Sequence, residues 1–481
     1  MSARYLTTTL PYVNADPHIG FALEIVQADA LIRSWRLRGE EVFYSTGTDE
    51  HGQKIQEAAE KAGQPVEKYV EHYANEFKKL KEVLALDDPH FIRTSSPTHI
   101  VAAQEMWRRC AAKGDIYKKK YVGMYCVGCE SFKTGREIVD GHCVTHINLV
   151  LEEITEENYF FTFSKYRDAL LTYLKKPNSV IPEWRRTEAI NFVEAGLEDF
   201  SISRERARLS WGIPVPGDDT QVMYVWFDAL TNYLSTLGWP EDKEGNFQKF
   251  WEEGQTLQVA GKDQVRFQSL MWQAMLFSAG IKNTDSVFYH GFITSGGQKM
   301  SKSLGNVINP LELIEKYGTD ATRYMLLRHV HANEDSDVTW ERLDEWYTAN
   351  LANGLGNLVA RVMQMAVTHL KEPVELTDET KSDVSVFGHL EYFEFNRAID
   401  SIWERIGYDD ALITLKKPFS EIKSDQENVR NEALSIIKKL VRELYAIAID
   451  LGPFMPKTSE IIKKAVLENK KPENLFPRID K

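Results

Sequence analysis

The start of this chain alternates strand and helix signals in a way that a parallel sheet accommodates. Tyr5-Leu6-Thr7-Thr8-Thr9-Leu10 is a β-branched and apolar run, followed by the turn formers Pro11, Asn14, Asp16 and Pro17. From His18 the period becomes helical, with Leu23, Val26, Ala30 and Leu37 on one face and Gly39 placed to end the helix. A second apolar strand, Glu41 to Thr46, then runs into Gly47-Thr48-Asp49-Glu50-His51-Gly52. Strand, helix and strand in this order predict an α/β doubly wound sheet whose ligands bind at the carboxyl ends of the strands.

Past about residue 116 the alternation gives way to short apolar runs, cysteines, glycines and prolines. It resumes with Met223-Tyr224-Val225-Trp226-Phe227, then a strand Leu257–Ala260, a helix from about Asp263 to Ala279 and a strand Val287–His290. Beyond about residue 346 nearly everything has helical period. The expected domains are a first half-domain at 1–115, a connective insertion at 116–221, a second half-domain at 222–293, a loop and stem-contact region at 294–345 and a helical bundle at 346–481. A chain of 481 residues is too long for one core.

With 43% hydrophobic and 27% charged residues, the composition is that of a soluble globular protein. No apolar run approaches the roughly 18 residues of a membrane span, and the N-terminus lacks the order of a signal peptide, so the cytoplasm is the expected location. A net charge of −13 argues on average against nucleic-acid binding. Lys118-Lys119-Lys120, Arg185-Arg186, Arg204 to Arg208, Lys416-Lys417 and Lys438-Lys439 leave room for a local positive face, or are simply solvated.

Pro17-His18-Ile19-Gly20 would stand at a helix start, where unpaired N–H groups and the helix dipole favour an anion. Far downstream, Ser295-Gly296-Gly297-Gln298 can reverse the chain ahead of Lys299-Met300-Ser301-Lys302-Ser303, two movable cations between glycine pairs. Alone, the first is a helix histidine without a ligand and the second a soluble lysine surface. Together they resemble the ATP-binding pair of the class I aminoacyl-tRNA synthetases. The resemblance implies phosphate handling by His18, Gly20, Lys299 and Lys302, with Mg²⁺ arriving with ATP; Phe21 stands where the family usually has histidine. An amino acid's α-carboxylate, with a pKa of about 3.5, is already a nucleophile at neutral pH, so alignment and charge stabilisation are needed and a general base is not.

Leu10-Pro11-Tyr12, Gly47-Thr48-Asp49-Glu50-His51-Gly52, Val225-Trp226-Phe227-Asp228-Ala229, Gly261-Lys262-Asp263 and His290-Gly291-Phe292 are similar, in order, to motifs of the methionyl-tRNA synthetase family. By that resemblance Asp49 pairs with the substrate ammonium. Leu10, Tyr12, Trp226, Ala229, Leu230, Tyr233, Phe267 and Gln268 surround its side chain, with Gln268 where the family commonly has histidine. Gly261, Asp263 and His290 join Phe21 in holding ATP, the first two at the ribose. An aromatic set of this kind also reads as plain core packing, although a thioether suits such a slot, where sulfur and ring edges attract. The insertion is too short for the editing domain of the leucine, isoleucine and valine relatives.

Cys126, Cys129, Cys143 and His146 form a C-x₂-C-x₁₃-C-x₂-H arrangement that suits a closed, structural Zn²⁺ site. A redox pair or three inert thiols are the alternatives; His142 is a rival ligand with poor geometry beside Cys143, and Cys110 reads as a small buried residue. With four cysteines, no disulfide framework is expected. The fold expected is thus a Rossmann-like α/β sheet split by a zinc-knuckle insertion and followed by an α-helical bundle. In the bundle Asn353, Asn357 and Arg361 lie four apart, and the family reads the anticodon with a similar Asn and Arg and a stacking tryptophan after proline. Here Phe419 follows Pro418; packing or capping is the alternative role for the asparagines.

The resemblance therefore implies a monomer that joins L-methionine to AMP with ATP and then to tRNA(Met), including the initiator, away from membranes. Its rivals are another class I synthetase or HIGH-type nucleotidyltransferase, and a non-catalytic tRNA-binding paralogue.

Overall fold

The computed structural model describes residues 3–129, 131–133, 137–300, 306–376 and 383–479. The chain forms two compact units: residues 1–17, 39–81 and 88–290 make the first, and 18–38, 82–87 and 291–481 the second.

The first unit is built on a six-stranded parallel sheet. Its order is β3 (His90–Arg93), β2 (Glu41–Thr48), β1 (Ala3–Thr7), then Gln255–Gly261, Ser286–His290 and Val180–Ile181. β1 pairs in parallel with β2 on one side and with Gln255–Gly261 on the other, so strand order reverses about β1. At such a reversal the connections leave in opposite directions and open a crevice at the carboxyl ends of the strands. Tyr5, Phe43, Trp251, Trp272 and Tyr289 belong to one continuous buried core around this sheet.

Residues 116–221 add a four-stranded antiparallel sheet ordered Phe200–Ser201, Glu152–Phe161, Ile116–Cys126, Ser131–Lys133. Its long central pairing runs from Ile116 opposite Phe161 to Tyr125 opposite Glu152. The same segment supplies Val180–Ile181 to the edge of the parallel sheet, where Val180 pairs with Val287 and Ile181 with Phe288.

The apolar run at 223–227 is not a single strand. Met223 ends the strand Asp218–Met223, and Val225–Ala229 is a short helix. Met223, Tyr224, Val225 and Phe227 are buried and Trp226 is half-buried, and a short, almost entirely buried run carries no period that distinguishes strand from helix. The helix expected over 263–279 is a 3₁₀ turn at Lys262–Gln264, a π-helical segment at Arg266–Met271 and an α-helix at Trp272–Ala279, ended by left-handed Gly280.

In the second unit, α1 (Ile19–Leu37) is buried along most of its length, including the polar Glu24, Gln27 and Asp29. Asp29 meets the fully buried Arg323 at 2.7 Å, and Arg323 also donates to the carbonyls of Leu84, Pro453 and Phe454. A hairpin of Ile293–Ser295 and Gln298–Lys299 precedes the helices, the longest being Phe395–Lys416 and Glu427–Leu451. No described helix is long and apolar enough to cross a membrane.

Candidate active site and metal centre

The residues expected to hold the amino acid gather at the carboxyl ends of the first unit's parallel strands. Asp49 follows β2 directly; its N–H donates to Pro11 O at 3.0 Å and its carbonyl accepts from Val13 N–H at 3.3 Å. This clamps the Leu10-Pro11-Tyr12 segment, which continues from β1, alongside Asp49, with Tyr12 directly opposite it. The Tyr12 ring stands edge-on to Trp226 at 6.3 Å, and Trp226 lies nearly flat on Phe267 at 3.9 Å and 13°. Next to Phe267, buried Gln268 donates from Nε2 to the Tyr233 hydroxyl, and its Oε1 has no hydrogen-bond partner among the described residues. The Tyr233 carbonyl accepts from Tyr5 Oη at 2.8 Å, and its ring packs edge-on to Trp272 at 5.6 Å. Ala229 and Leu230 are buried and Leu10 is half-buried. Tyr12, Trp226, Phe267, Gln268 and Tyr233 thus form a linked run of contacts that starts beside Asp49, and rings with a carboxylate and an amide among them are groups suited to an ammonium and a polarisable side chain.

Gly261 closes its strand opposite His290, the last residue of the neighbouring strand. A side chain at Gly261 would come within 2.9 Å of Asp263 Oδ1 and 3.8 Å of the His290 ring, so the three expected nucleotide residues are immediate neighbours.

In the second unit, His18 is the N-cap of α1, and its Nδ1 accepts from the N–H groups of Gly20 at 3.1 Å and Phe21 at 3.3 Å. An acceptor at Nδ1 places the proton of a neutral imidazole on Nε2. A Cβ on Gly20 would stand 3.0 Å from the His18 ring, so glycine leaves the ring free to cap. The next N–H, of buried Ile19, donates to Ile308 O at 3.1 Å, which links the helix start to the chain just beyond the lysine motif. Gly296 and Gly297 both have positive φ, 62° and 72°, in the two-residue turn that sets Thr294 opposite Lys299. The Lys299 side chain and the whole of Ser301, Lys302 and Ser303 lie outside the described residues.

A hydrogen-bonded cluster that the sequence gives no reason to assemble lies in the first unit. The wholly buried Asp228 faces His51 Nδ1 at 3.1 Å and His99 Nε2 at 3.3 Å. Burial opposes ionisation of this carboxyl, but the two imidazoles outweigh it and hold the pKa below its ordinary value. His51 and Asp228 fall inside recognisable motifs; His99 carries no such signal.

The metal-ligand candidates converge. The donor atoms of Cys126, Cys129, Cys143 and His146 all lie within 4.8 Å of one another, with Cys129 Sγ 3.2 Å from His146 Nδ1 and 3.6 Å from Cys143 Sγ. Two turns, Cys129 N–H to Cys126 O and His146 N–H to Cys143 O, form the paired knuckles. Gly128 is required for closure, since a Cβ there would stand 2.6 Å from His146 Cγ. His142 turns away, its Nδ1 3.3 Å from Leu149 O. Three thiols and one imidazole in a closed set fit a structural metal ion with no open position.

In the bundle, Asn353 lies in the π-helical segment Tyr347–Gly356 and Asn357 begins the following α-helix; both are exposed. Asn353 accepts from Arg478 at 3.4 Å, Arg361 pairs with Asp410 at 2.8 Å, and Phe419 is 48% exposed. The basic clusters are less available than their spacing suggests. Lys118 pairs with Asp218 and Glu157, and Arg208 with Glu152 and Glu156. Arg204 is buried among the rings of Tyr125, Phe132 and Tyr224, which removes it from any positive surface.

Known proteins match this arrangement along the chain. The family model described as tRNA synthetases class I (M) matches residues 4–149 and 144–363. A methionine–tRNA ligase of Fusobacterium nucleatum is 38% identical, covering 98% of this chain and 75% of its own length; that of Rhizobium meliloti is also 38% identical, with 95% and 90% covered. The solved structure of Mycobacterium tuberculosis methionyl-tRNA synthetase in complex with methionyl-adenylate superposes with a TM-score of 0.91 at 34% identity, covering 99% of this chain and 100% of that one. The chain belongs to the methionine–tRNA ligase family of class I tRNA synthetases.

Proposed function

We propose that this chain is a methionine–tRNA ligase: it joins L-methionine to AMP with ATP, releasing pyrophosphate, and transfers the methionyl group to tRNA(Met), initiator included. The observation that carries the reading is the slot of Tyr12, Asp49, Trp226, Phe267 and Gln268 at the sheet's carboxyl ends. A chain matching this one over nearly its whole length is solved with methionyl-adenylate.

In this reading Asp49 takes the ammonium, and Leu10, Ala229, Leu230 and Tyr233 complete the walls around the thioether. Gly261, Asp263 and His290 hold the nucleoside. The methionine carboxylate, already ionised, attacks the α-phosphorus of ATP, the bond to the β-phosphate oxygen breaks, and pyrophosphate leaves with its charge. His18, with its proton on Nε2, donates to a phosphate oxygen beside Gly20 and Phe21, and Lys299 and Lys302 neutralise the leaving group. Mg²⁺, bound to ATP, contributes charge neutralisation. The Cys126, Cys129, Cys143 and His146 set holds one Zn²⁺ that fixes the knuckle. Asn353, Asn357, Arg361 and Phe419 meet unstacked anticodon bases. The protein works as a cytoplasmic monomer.

Methionine-dependent exchange of pyrophosphate into ATP, measured against a panel of amino acids, tests the assignment. Exchange driven by leucine or cysteine in place of methionine would end it. Lys302→Ala is expected to slow exchange by about 10²–10³-fold, the scale of a lost transition-state electrostatic contact.

A further inference from the structure

We propose that Asp228 is a positioning residue for methionine binding: its buried carboxylate fastens the strand end carrying Asp49 to the short helix carrying Trp226 and Ala229, which fixes the separation between ammonium ligand and side-chain slot. The inference rests on the functional reading above and deepens it.

The helix Val225–Ala229 is five residues long. So short a helix has almost no internal stiffness, and its orientation must come from tertiary contacts. Trp226, Ala229 and Leu230 are spaced to share one face. Asp228 lies off that face, with its two oxygens on His51 Nδ1 at 3.1 Å and His99 Nε2 at 3.3 Å. His51 follows Asp49 by two residues, and the Trp211 ring packs against it at 5.4 Å while Trp211 Nε1 donates to Glu50 O. His99 belongs to the helix Pro97–Ala112, and its Nδ1 lies 2.9 Å from Ser235 Oγ, on the helix that carries Tyr233. One carboxylate therefore joins three elements, two of which bear slot residues. Asp228 and His99 are 0% exposed and His51 is 5% exposed. A buried carboxylate tolerates few arrangements of its donors, because leaving one oxygen unmatched is costly. The geometry is consequently set before substrate arrives.

The test compares Asp228→Asn, His51→Ala and His51→Asn with the wild-type full chain in methionine-dependent exchange. Methionine KM, ATP KM, kcat and thermal stability are read for each. Asp228→Asn and His51→Ala are expected to raise methionine KM about 10- to 100-fold, the scale of a misplaced contact, with ATP KM held within about twofold. His51→Asn, which keeps a donor near the Nδ1 position, is expected to restore methionine KM. A folded Asp228→Asn or His51→Ala protein with wild-type methionine KM overturns the proposal, as does a loss shared equally by methionine and ATP. Should Asp228→Asn not fold, the His51 pair decides by the same criteria. A wild type inactive with methionine overturns the functional reading itself, and this inference with it.

Discussion

The proposed methionine slot and the candidate metal knuckle are both small constellations in the same unit, yet they are held in opposite ways. The slot is embedded: Tyr233, Trp272 and Tyr5 belong to the continuous core of the parallel sheet, and Trp226 and Phe267 pack against it. Among the described residues the knuckle has a core of three buried side chains, Cys126, Cys143 and Leu151, two of them candidate ligands, with Met124, Cys129 and Ile138 packed partly buried against it. Packing can pre-shape the slot without its ligand, whereas three side chains cannot offset the entropy of ordering the loops around them. In the proposed reading the knuckle takes its order from the metal it binds.

Metal removal is the strongest way to break this contrast. Binding to such sites is worth about 10 kcal/mol or more, against the small apolar core described for the knuckle. Chelation is expected to abolish hydrogen-exchange protection at 138–151 and leave 255–290 unchanged; equal protection with and without metal would show that the knuckle holds itself. Metal analysis of the untreated protein is expected to find about one zinc per chain. Next in size, Trp226→Ala removes the ring stacked on Phe267. It should weaken methionine binding by about 2 kcal/mol, roughly 30-fold by calorimetry, without altering metal content. Gly128→Ala is its counterpart in the knuckle: with a Cβ 2.6 Å from His146 Cγ, metal affinity should fall about 10-fold while methionine KM stays put.

The smallest effect concerns sulfur. Burial pushes the Cys110 thiol from 9.0 up to about 12. A folded thiol that keeps its proton contributes stability that is complete below the unfolded pKa and lost as pH rises towards the folded one. At pH 8 Cys110 is thus expected to resist alkylation even after chelation, whereas Cys126, Cys129 and Cys143 label; labelling of Cys110 in the folded protein would break the distinction.

What the sequence shows clearly is local. The β1–α1–β2 alternation follows from periods within a few turns, and the ligand set from four residues in two tight pairs. The run 223–227 hides its break because four of its five side chains are buried and only Trp226 is half-buried, which leaves no alternation to read. The π-helical turn at Arg266–Met271 leaves no mark in an apolar, helix-like pattern. Arg204 reads as part of a charged face because composition cannot show three rings arriving from other segments of the chain. His99 reaches Asp228 across more than a hundred residues of chain, a separation at which no spacing rule operates. For His18, Gly20, Lys299 and Lys302, proposed to handle phosphate, the motifs carry the resemblance, and the structure adds the His18 cap and the glycine turn.

The outermost strand of the parallel sheet, Val180–Ile181, is lent by the inserted segment. An engineer wishing to shorten the chain by excising 116–221 would strip Val287 and Phe288 of their neighbour and expose an apolar, unpaired backbone rim of the kind that recruits other chains. Trimming of this segment is therefore constrained to its far side, and a minimal version of the protein must retain the residues around 180 or blunt the new rim with charge.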